Sequence, residues 1–573
     1  MMIVSLTMLL PTHQSPLPTH ASLLSDPFLQ LPTATSVRVV WFTDFLGSEH
    51  KVLYGDRLKR AAIATTTRLS RTREDEKSNL VLGYPKTTVR EIWRHEAEVT
   101  GLVPGQRLPY RAISTLEERQ IKSKIFTLAG QPKRGMPLKI LLTSDHQLMP
   151  MVAANLQKVA ETVGQVDAIF FAGDLVNIPD RASEWFDDSR GGAFFPCLQG
   201  RANYALEKNG KTTLYQGGEL IQYAPLFPAI GNHEVMGKFS PEKSLNEQFN
   251  AAFPRPQAEK LYRELAAQIN PYNDPSIQDR WLEDASFNTK TYTEIFTLPQ
   301  QSSGTPKYYA LTFGDIRLVV LYITNIWRSP SLDPQVRGRY QERQEDLNTP
   351  QNWGYGQHIF EPITQGSPQY EWLEAELSSE AFRQAKYKIV MFHHPVHTLG
   401  GNIVPPYTDP VARLEYSQSG QLQSVRYDYP PEKDYLLRDL MPLLESAGVQ
   451  FVFYGHSHLW NRFLSPRGIH FLESSNVGNS YGAHLGENQR PIPTDNPRIT
   501  YAATGDPNGL EPIVPTLAPL LDENSQPIPY IASNDITVFS ILDTSQGTVS
   551  SYRFDTRDPD SEVIKFDQFA IAQ

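Results

Sequence analysis

The chain has 573 residues, too many for one ordinary domain, and its 40% hydrophobic and 20% charged residues exclude a wholly disordered chain. A net charge of −10 argues against a nucleic-acid partner, which calls for a basic face. One cysteine, Cys197, excludes an internal disulfide and a cysteine-rich metal site, and no apolar run approaches the roughly 20 residues that span a bilayer.

In chain order, residues 1–35 read as a leader rich in Pro, Thr and Ser. Its start, MMIVSLTMLL, is apolar but lacks the basic region of an export signal, so export and retention in the cytoplasm both stay open. Regular structure begins at SVRVVWFT, where Val37, Val39 and Trp41 alternate with Arg38, Val40 and Phe42 in the period of a strand. KVLYG at 51–55, WRHEAEV at 93–99 and the Pro104-Gly105 turn in TGLVPGQRLPYRAIS extend this to a small β-sandwich over 36–125, followed by a linker at 126–137.

From Leu138 the pattern changes. LKILLTSD reads as a short buried strand, and Val152, Leu156, Val159 and Val163 form one helix face that Gly164 ends. VDAIFFAGD gives the next strand. The rhythm returns in YYALTFGDIRLVVLYI, KYKIVMFHH and VQFVFYGHSH, and ITVFSILDTSQGTVSSYRFDT at 536–556 reads as a closing hairpin. This predicts an α/β domain over 138–573 with its site at the carboxyl ends of strands. Two long polar stretches, 238–300 and 400–433, are insertions that cover a site or decorate the surface. The aromatic stretch WFDDSRGGAFF at 185–195 reads as a pocket rim or as surface decoration, and Cys197 as a packing residue.

Five apolar runs end in a metal-capable residue: SDHQ (Asp145), GDLVN (Asp174), GNHE (Asn232, His233), FHHP (His393, His394) and GHSH (His456, His458). Carboxylate, amide and imidazole donors together suit Fe, Mn or Zn. Two such ions can share one carboxylate, activate a hydroxide between them and neutralise phosphoryl oxygens. Glycines before Asp174, Asn232 and His456 let the backbone turn sharply.

These blocks resemble those of the metallophosphoesterase (calcineurin-like) superfamily, and within it the purple acid phosphatases, whose GDxG, GDxxY, GNHE/D, VxxH and GHxH are matched by SDHQ, GDLVN, GNHE, VMFH and GHSH. QYEWLEAEL resembles the helix before VxxH, HLWNR resembles HxYER, and TGLVPGQRLPYR resembles a strand turn of that family's fibronectin-type-III-like domain. The resemblance implies an αββα four-layer catalytic sandwich preceded by a small all-β sandwich. It implies that Asp174 bridges two metals, that Asp145 and His458 complete the first site, and that Asn232, His393 and His456 bind the second. It further implies that His233 contacts the phosphate and passes a proton to the leaving group, and that the reaction is hydrolysis of a small phosphate monoester by a metal-held hydroxide. Asn232 would also touch the substrate, and His394 and His397 could line its pocket. The sandwich could support a homodimer.

Two positions depart from the pattern. The His that usually follows two residues after the first Asp is Gln147, and the purple acid phosphatases' Tyr three residues after the second Asp is Asn177. Either amide can offer an oxygen to the first metal, and without a tyrosinate there the iron-loaded protein should not be purple. These departures motivate one alternative, a relative that binds a ligand without turnover; a second, a phosphodiesterase or nucleotidase on this scaffold, stays open because loops build the substrate pocket.

Overall fold

The computed structural model describes residues 22–251, 253–300, 306–325, 338–492 and 501–571. Alternating apolar residues build the N-terminal part as two facing antiparallel sheets. In one, Ser36–Thr43 pairs with Trp93–Thr100 along its whole length, flanked by Phe28–Gln30 and Thr65–Arg68. The other runs Arg119–Lys122, Leu108–Leu116, Glu49–Tyr54, Arg60–Ile63, with Phe126–Leu128 also on Leu108–Leu116. Val37, Val39 and Trp41 meet Val52, Tyr110 and Ala112 between them.

Two boundaries are corrected here. Residues 28–30 belong to the sandwich, with Phe28 and Leu29 buried, so the leader does not reach residue 35 as a detached segment. Its first 21 residues, with the apolar start, lie outside the described residues. The expected linker likewise opens with the paired strand Phe126–Leu128. Three-residue strands are too short to register as a period-two pattern.

Inside the sandwich His95 is fully enclosed. Its Nε2 meets Thr43 Oγ1 at 2.8 Å, its Nδ1 meets Thr66 Oγ1 at 2.9 Å, and its ring stacks on His50 at 3.6 Å. Burial, then His50 and Arg94, hold its pKa down to about 2. An unfolded histidine titrates near 6.5, so below that pH protons bind the unfolded chain first. Stability contributed by the neutral ring is complete above roughly pH 6.5 and falls with falling pH, by at most about 1.4 kcal/mol per pH unit. Urea unfolding across this range is expected to show that slope in the native chain and a flatter one in His95→Gln; equal slopes would remove His95 as its source.

From Leu138 onward two further sheets stack face to face. The six-stranded sheet runs Leu226–Pro228, Ala168–Phe171, Lys139–Thr143, Ile536–Asp543, Thr548–Asp555, Ile564–Ala570; its first three strands are parallel and the rest antiparallel. The seven-stranded sheet runs Tyr309–Phe313, Ile316–Val320, Tyr387–Met391, Phe451–Tyr454, His470–Ser474, Trp460–Leu464, Tyr530–Ile531. Its parallel strands are buried on both faces, which is why they read as continuous Val, Ile, Leu and Phe. Alternation sorts those side chains. Leu318, Val320, Ile389, Met391 and Phe453 join the large cluster shared with the six-stranded sheet. Val319, Leu321, Val390 and Val452 join a second cluster with Leu373 and Leu377 of helix Pro368–Leu377, Leu440, and Leu444 of helix Met441–Ser446. Helix Val152–Val163 puts Val152, Leu156 and Val159 into the first cluster and ends at Gly164, φ 73°. The layers are helix, sheet, sheet, helix.

The 238–300 insertion folds into helices Leu245–Asn250, Arg255–Ile269, Pro275–Ala285 and Lys290–Ile295. The 400–433 insertion contains the hairpin Val411–Tyr416 and Leu422–Asp428. The aromatic stretch is neither rim nor decoration. Trp185, Phe186, Phe194 and Phe195 are buried, and Phe186 and Phe195 pack against Phe42 with tilted rings at 4.9 and 5.3 Å, joining sandwich to core. The charged and glycine residues between them form the outward turn that made the stretch look exposed. Cys197 is buried nearby, its thiol pushed up to about 12 by burial, so it packs rather than reacts. Among the described residues no helix is long and apolar enough to cross a membrane.

Candidate functional site

Five turns meet along one edge of the stacked sheets. Lys139–Thr143, Ala168–Phe171 and Leu226–Pro228 are parallel neighbours whose carboxyl ends deliver Asp145, Asp174 and Asn232. Tyr387–Met391 and Phe451–Tyr454 are parallel neighbours in the other sheet and deliver His393, His456 and His458. The turns are tight enough to hold Asp145, Asp174, His456 and His458 at φ of 57°, 59°, 84° and 57°, a region residues with side chains rarely occupy. Two glycines make the approach feasible. A Cβ on Gly231 would stand 2.2 Å from Asp174 Oδ1, and one on Gly455 would stand 2.2 Å from Asp145 Oδ2.

All six side chains are buried, with at most 5% exposure. His393 Nδ1 donates to the Ala172 carbonyl at 2.8 Å, which leaves Nε2 as the inward atom. That Nε2 lies 3.1 Å from Asn232 Oδ1, 3.2 Å from Asp174 Oδ2 and 3.2 Å from His456 Nδ1. His458 Nδ1 donates to the Asn479 carbonyl at 2.7 Å, turning its Nε2 to within 3.3 Å of Asp145 Oδ1. Donor atoms of Asp145, Asp174 and His393 lie within 4.8 Å of one another. With both imidazoles neutral, these are lone pairs aimed at lone pairs in a dry place. Asn232 Nδ2, meanwhile, has no hydrogen-bond partner among the described residues. A buried cluster of this kind needs a proton or a cation at its centre. In the protein alone the proton serves. Burial opposes charge on His393, but Asp174 outweighs it and raises the imidazole to about 9. Asp174 is held well below the usual carboxylate range: burial works against its charge, and His393 and His233 overcome that.

A model of the calcineurin-like phosphoesterase family matches residues 138–459. The chain belongs to that family. Among solved structures it is similar to the purple acid phosphatase PPD1 from seeds of yellow lupin, Lupinus luteus, at 14% identity and a TM-score of 0.51, over 95% of this chain and 74% of that one. It is also similar to GAP50, the anchor in the inner membrane complex of Plasmodium, at 12% identity and a TM-score of 0.30, over 75% of this chain and 89% of that one. No curated protein matches the sequence. The likeness to PPD1 shows the four-layer fold with its preceding β-rich domain.

In this phosphoesterase the remaining residues singled out by sequence divide into pocket and support. His233 is half-buried on the pocket wall; its Nδ1 donates to the Asn177 carbonyl at 2.7 Å and its ring stacks on Phe249 at 5.1 Å, which leaves Nε2 for a ligand. Gln147 and Asn177 also line the pocket, and Gln147 Nε2 donates to Asp174 Oδ2 at 2.6 Å. His394 and His397 do not reach it. His394 is buried behind His456, stacked on that ring at 3.7 Å with its Nδ1 on Thr324 Oγ1. His397 pairs with Asp506 at 2.6 Å, under Phe471. Both follow the strand end in a turn that runs back into the core, a direction the sequence does not state. His146 points away, against Phe171 and Thr143. Arg462 pairs with Asp567 in a buried bridge of 2.8 and 3.0 Å.

Sequence reasoning missed the braces. Glu234 accepts from the backbone N–H of Gly231, Asp174 and Leu175 at 2.7, 2.8 and 2.8 Å, tying two of the five turns together. Glu473 does the same for the GHSH turn, accepting from Ser457 N at 2.7 Å. Glu234 stood in the GNHE block and could have been suspected; Glu473 carries no local signal. The pocket walls were missed as well: Asn246, Phe249 and Asn250 from the insertion, and Tyr481, whose ring stacks on His458 at 5.1 Å. The wall is anchored to the sandwich. Arg181 donates to Asn246 Oδ1 at 2.8 Å, to Glu184 at 2.7 Å and to Asp75 at 3.1 Å, while Asp75 accepts from Leu245 N and Glu184 accepts from Asn177 N, each at 2.7 Å.

Proposed function

We propose that this chain is a dimetal phosphomonoesterase, with Asp145, Asp174 and His458 holding one cation and Asp174, Asn232, His393 and His456 the other. The observation that supports this is the convergence of His393 Nε2, Asn232 Oδ1, Asp174 Oδ2 and His456 Nδ1 within about hydrogen-bond distance, a set of buried donor atoms that a cation would satisfy together. The donor set suits Fe, Mn or Zn, and a pair of such ions supplies a nucleophilic hydroxide at neutral pH and neutralises a phosphoryl group.

The chain's own residues do the rest. Asp145 and Asp174 would only partly neutralise two cations, leaving a net positive centre that suits the anionic phosphoryl group of an ester. His233 Nε2, free on the pocket wall beside Asp174, is placed to hydrogen-bond the phosphoryl oxygens and to give its proton to the departing alkoxide. Asn232 Nδ2, without a hydrogen-bond partner among the described residues, is a second donor for a phosphoryl oxygen. Burial excludes bulk water from the donor set and strengthens each of these contacts.

Metal analysis of the purified chain together with rates on aryl monoester and aryl diester substrates tests this. Two ions per chain and a faster monoester are expected. A faster diester would reassign it as a phosphodiesterase, and one ion or none with no turnover in any of the three metals would make it a non-catalytic relative.

Gln147 sits where a family histidine would bind the first cation. As placed, its nitrogen faces Asp174, and an amide flip would offer its oxygen instead. Gln147→His is expected to tighten the first cation by about ten- to a hundredfold, since a neutral imidazole is a stronger ligand than an amide. Competition with a chelator reads this directly, and an unchanged affinity would place Gln147 outside the shell.

A further inference from the structure

The walls of the pocket carry information about the leaving group. Among the described residues lining it there is no Lys or Arg. The nearby guanidinium of Arg181 is engaged by Asp75, Glu184 and Asn246. In its place stand side-chain amides, Asn246, Asn250, Asn402 and Asn479, with two aromatic rings, Phe249 and Tyr481.

The amides present both polarities. Asn246 turns its oxygen to Arg181, so its NH2 is the end available to a ligand. Asn402 gives its NH2 to the His456 carbonyl at 3.1 Å, so its oxygen is the available end. A hydroxyl is donor and acceptor at once and satisfies either. Each ring has one face on a histidine of the site, Phe249 on His233 and Tyr481 on His458, and Tyr481 remains 60% exposed. An apolar ring face beside amides suits the C–H face of a sugar or polyol. A second phosphate, by contrast, would enter a wall whose described residues offer no fixed cation to meet it.

Resting on the phosphomonoesterase reading, we infer that the substrate is the monophosphate of a neutral, hydroxyl-rich leaving group, a sugar or polyol phosphate, and that nucleoside diphosphates and pyrophosphate are excluded. The amide-and-aromatic wall from helix Leu245–Asn250, Asn402 and Tyr481 is the specificity element.

The test uses the full chain loaded with manganese. Glucose 6-phosphate is compared with cyclohexylmethyl phosphate, which has similar leaving-group reactivity and no hydroxyls, and with adenosine mono- and diphosphate; an aryl phosphate monitors the chemistry. The sugar phosphate is expected to exceed the hydroxyl-free ester in kcat/KM by at least about tenfold, the equivalent of one or two hydroxyl hydrogen bonds. Asn246→Ala should shrink that ratio. Asn250→Lys, at an exposed position of the wall, should raise kcat/KM for adenosine diphosphate by about tenfold by supplying the missing cation. Equal rates on the two alkyl esters, or a preference for adenosine diphosphate, with the aryl phosphate still hydrolysed, would overturn this inference and leave the phosphomonoesterase reading standing. Failure on every ester would bring down both.

Discussion

Exchange of Asp174 for Asn is expected to lower kcat on an aryl phosphate by on the order of a thousandfold or more, and to reduce bound metal from two ions to one or none. The reason lies in how many partners the carboxylate serves. Oδ1 accepts from His233 N at 2.9 Å, while Oδ2 accepts from Gln147 and faces His393 Nε2. Both oxygens therefore work as acceptors before any cation binds, and the two proposed metal sites share this one side chain. An asparagine offers one oxygen. If that oxygen keeps His233 N, an NH2 group faces the centre where lone pairs are wanted. If it turns inward, the NH2 meets the His233 N–H, donor against donor. One of the two negative charges that balance the cations is lost in either case. Plasma mass spectrometry counts the metal and near-ultraviolet circular dichroism checks that the fold persists. Native metal content at a native rate would refute the bridging role.

That these side chains come together could be read from sequence because the pattern that carries them is local. Each proposed ligand follows a short apolar strand, is one of a few side-chain types, and sits in a turn that favours glycine at Gly173, Gly231 and Gly455. Strand order then follows from the parallel rhythm. What surrounds the donors was not legible, because topology brings it there. Asp75 and Arg181 meet across 106 positions of sequence. Phe249 arrives on a six-residue helix within a polar insertion, and Tyr481 in a loop with no periodicity at all. The stretch 185–195 failed for a related reason. Two five-residue helices, Ala182–Phe186 and Phe194–Leu198, each bury nearly every side chain, so there was no polar face to mark them as helical. His397 shows the reverse case: a residue type suited to a site, carried past it by the turn after His393 to pair with Asp506.

Glu234 is where support and chemistry can be told apart. Its two oxygens receive three backbone N–H groups, and all of this is buried. Burial and the charge of Asp174 raise its carboxyl above the usual range, and the three amides oppose that rise. Glu234→Gln keeps the size but replaces one accepting oxygen with a donor, so at least one amide among Gly231, Asp174 and Leu175 loses its partner. An unsatisfied buried N–H costs about 1–3 kcal/mol, and a loss of about 2–3 kcal/mol of stability in urea unfolding is expected. Those amides also set the φ of 59° at Asp174 and the approach of Gly231, so metal affinity should fall by about ten- to a hundredfold, as for other groups that orient a ligand without touching the metal. The decisive readout is rescue. Glu234 orients donors and does not itself meet the substrate, so excess metal should restore much of kcat in Glu234→Gln, while Asp174→Asn, lacking a ligand outright, should stay inactive at any metal concentration. If Glu234→Gln resists rescue while keeping native metal affinity, the carboxylate acts in the reaction itself and the bracing role assigned to it is wrong.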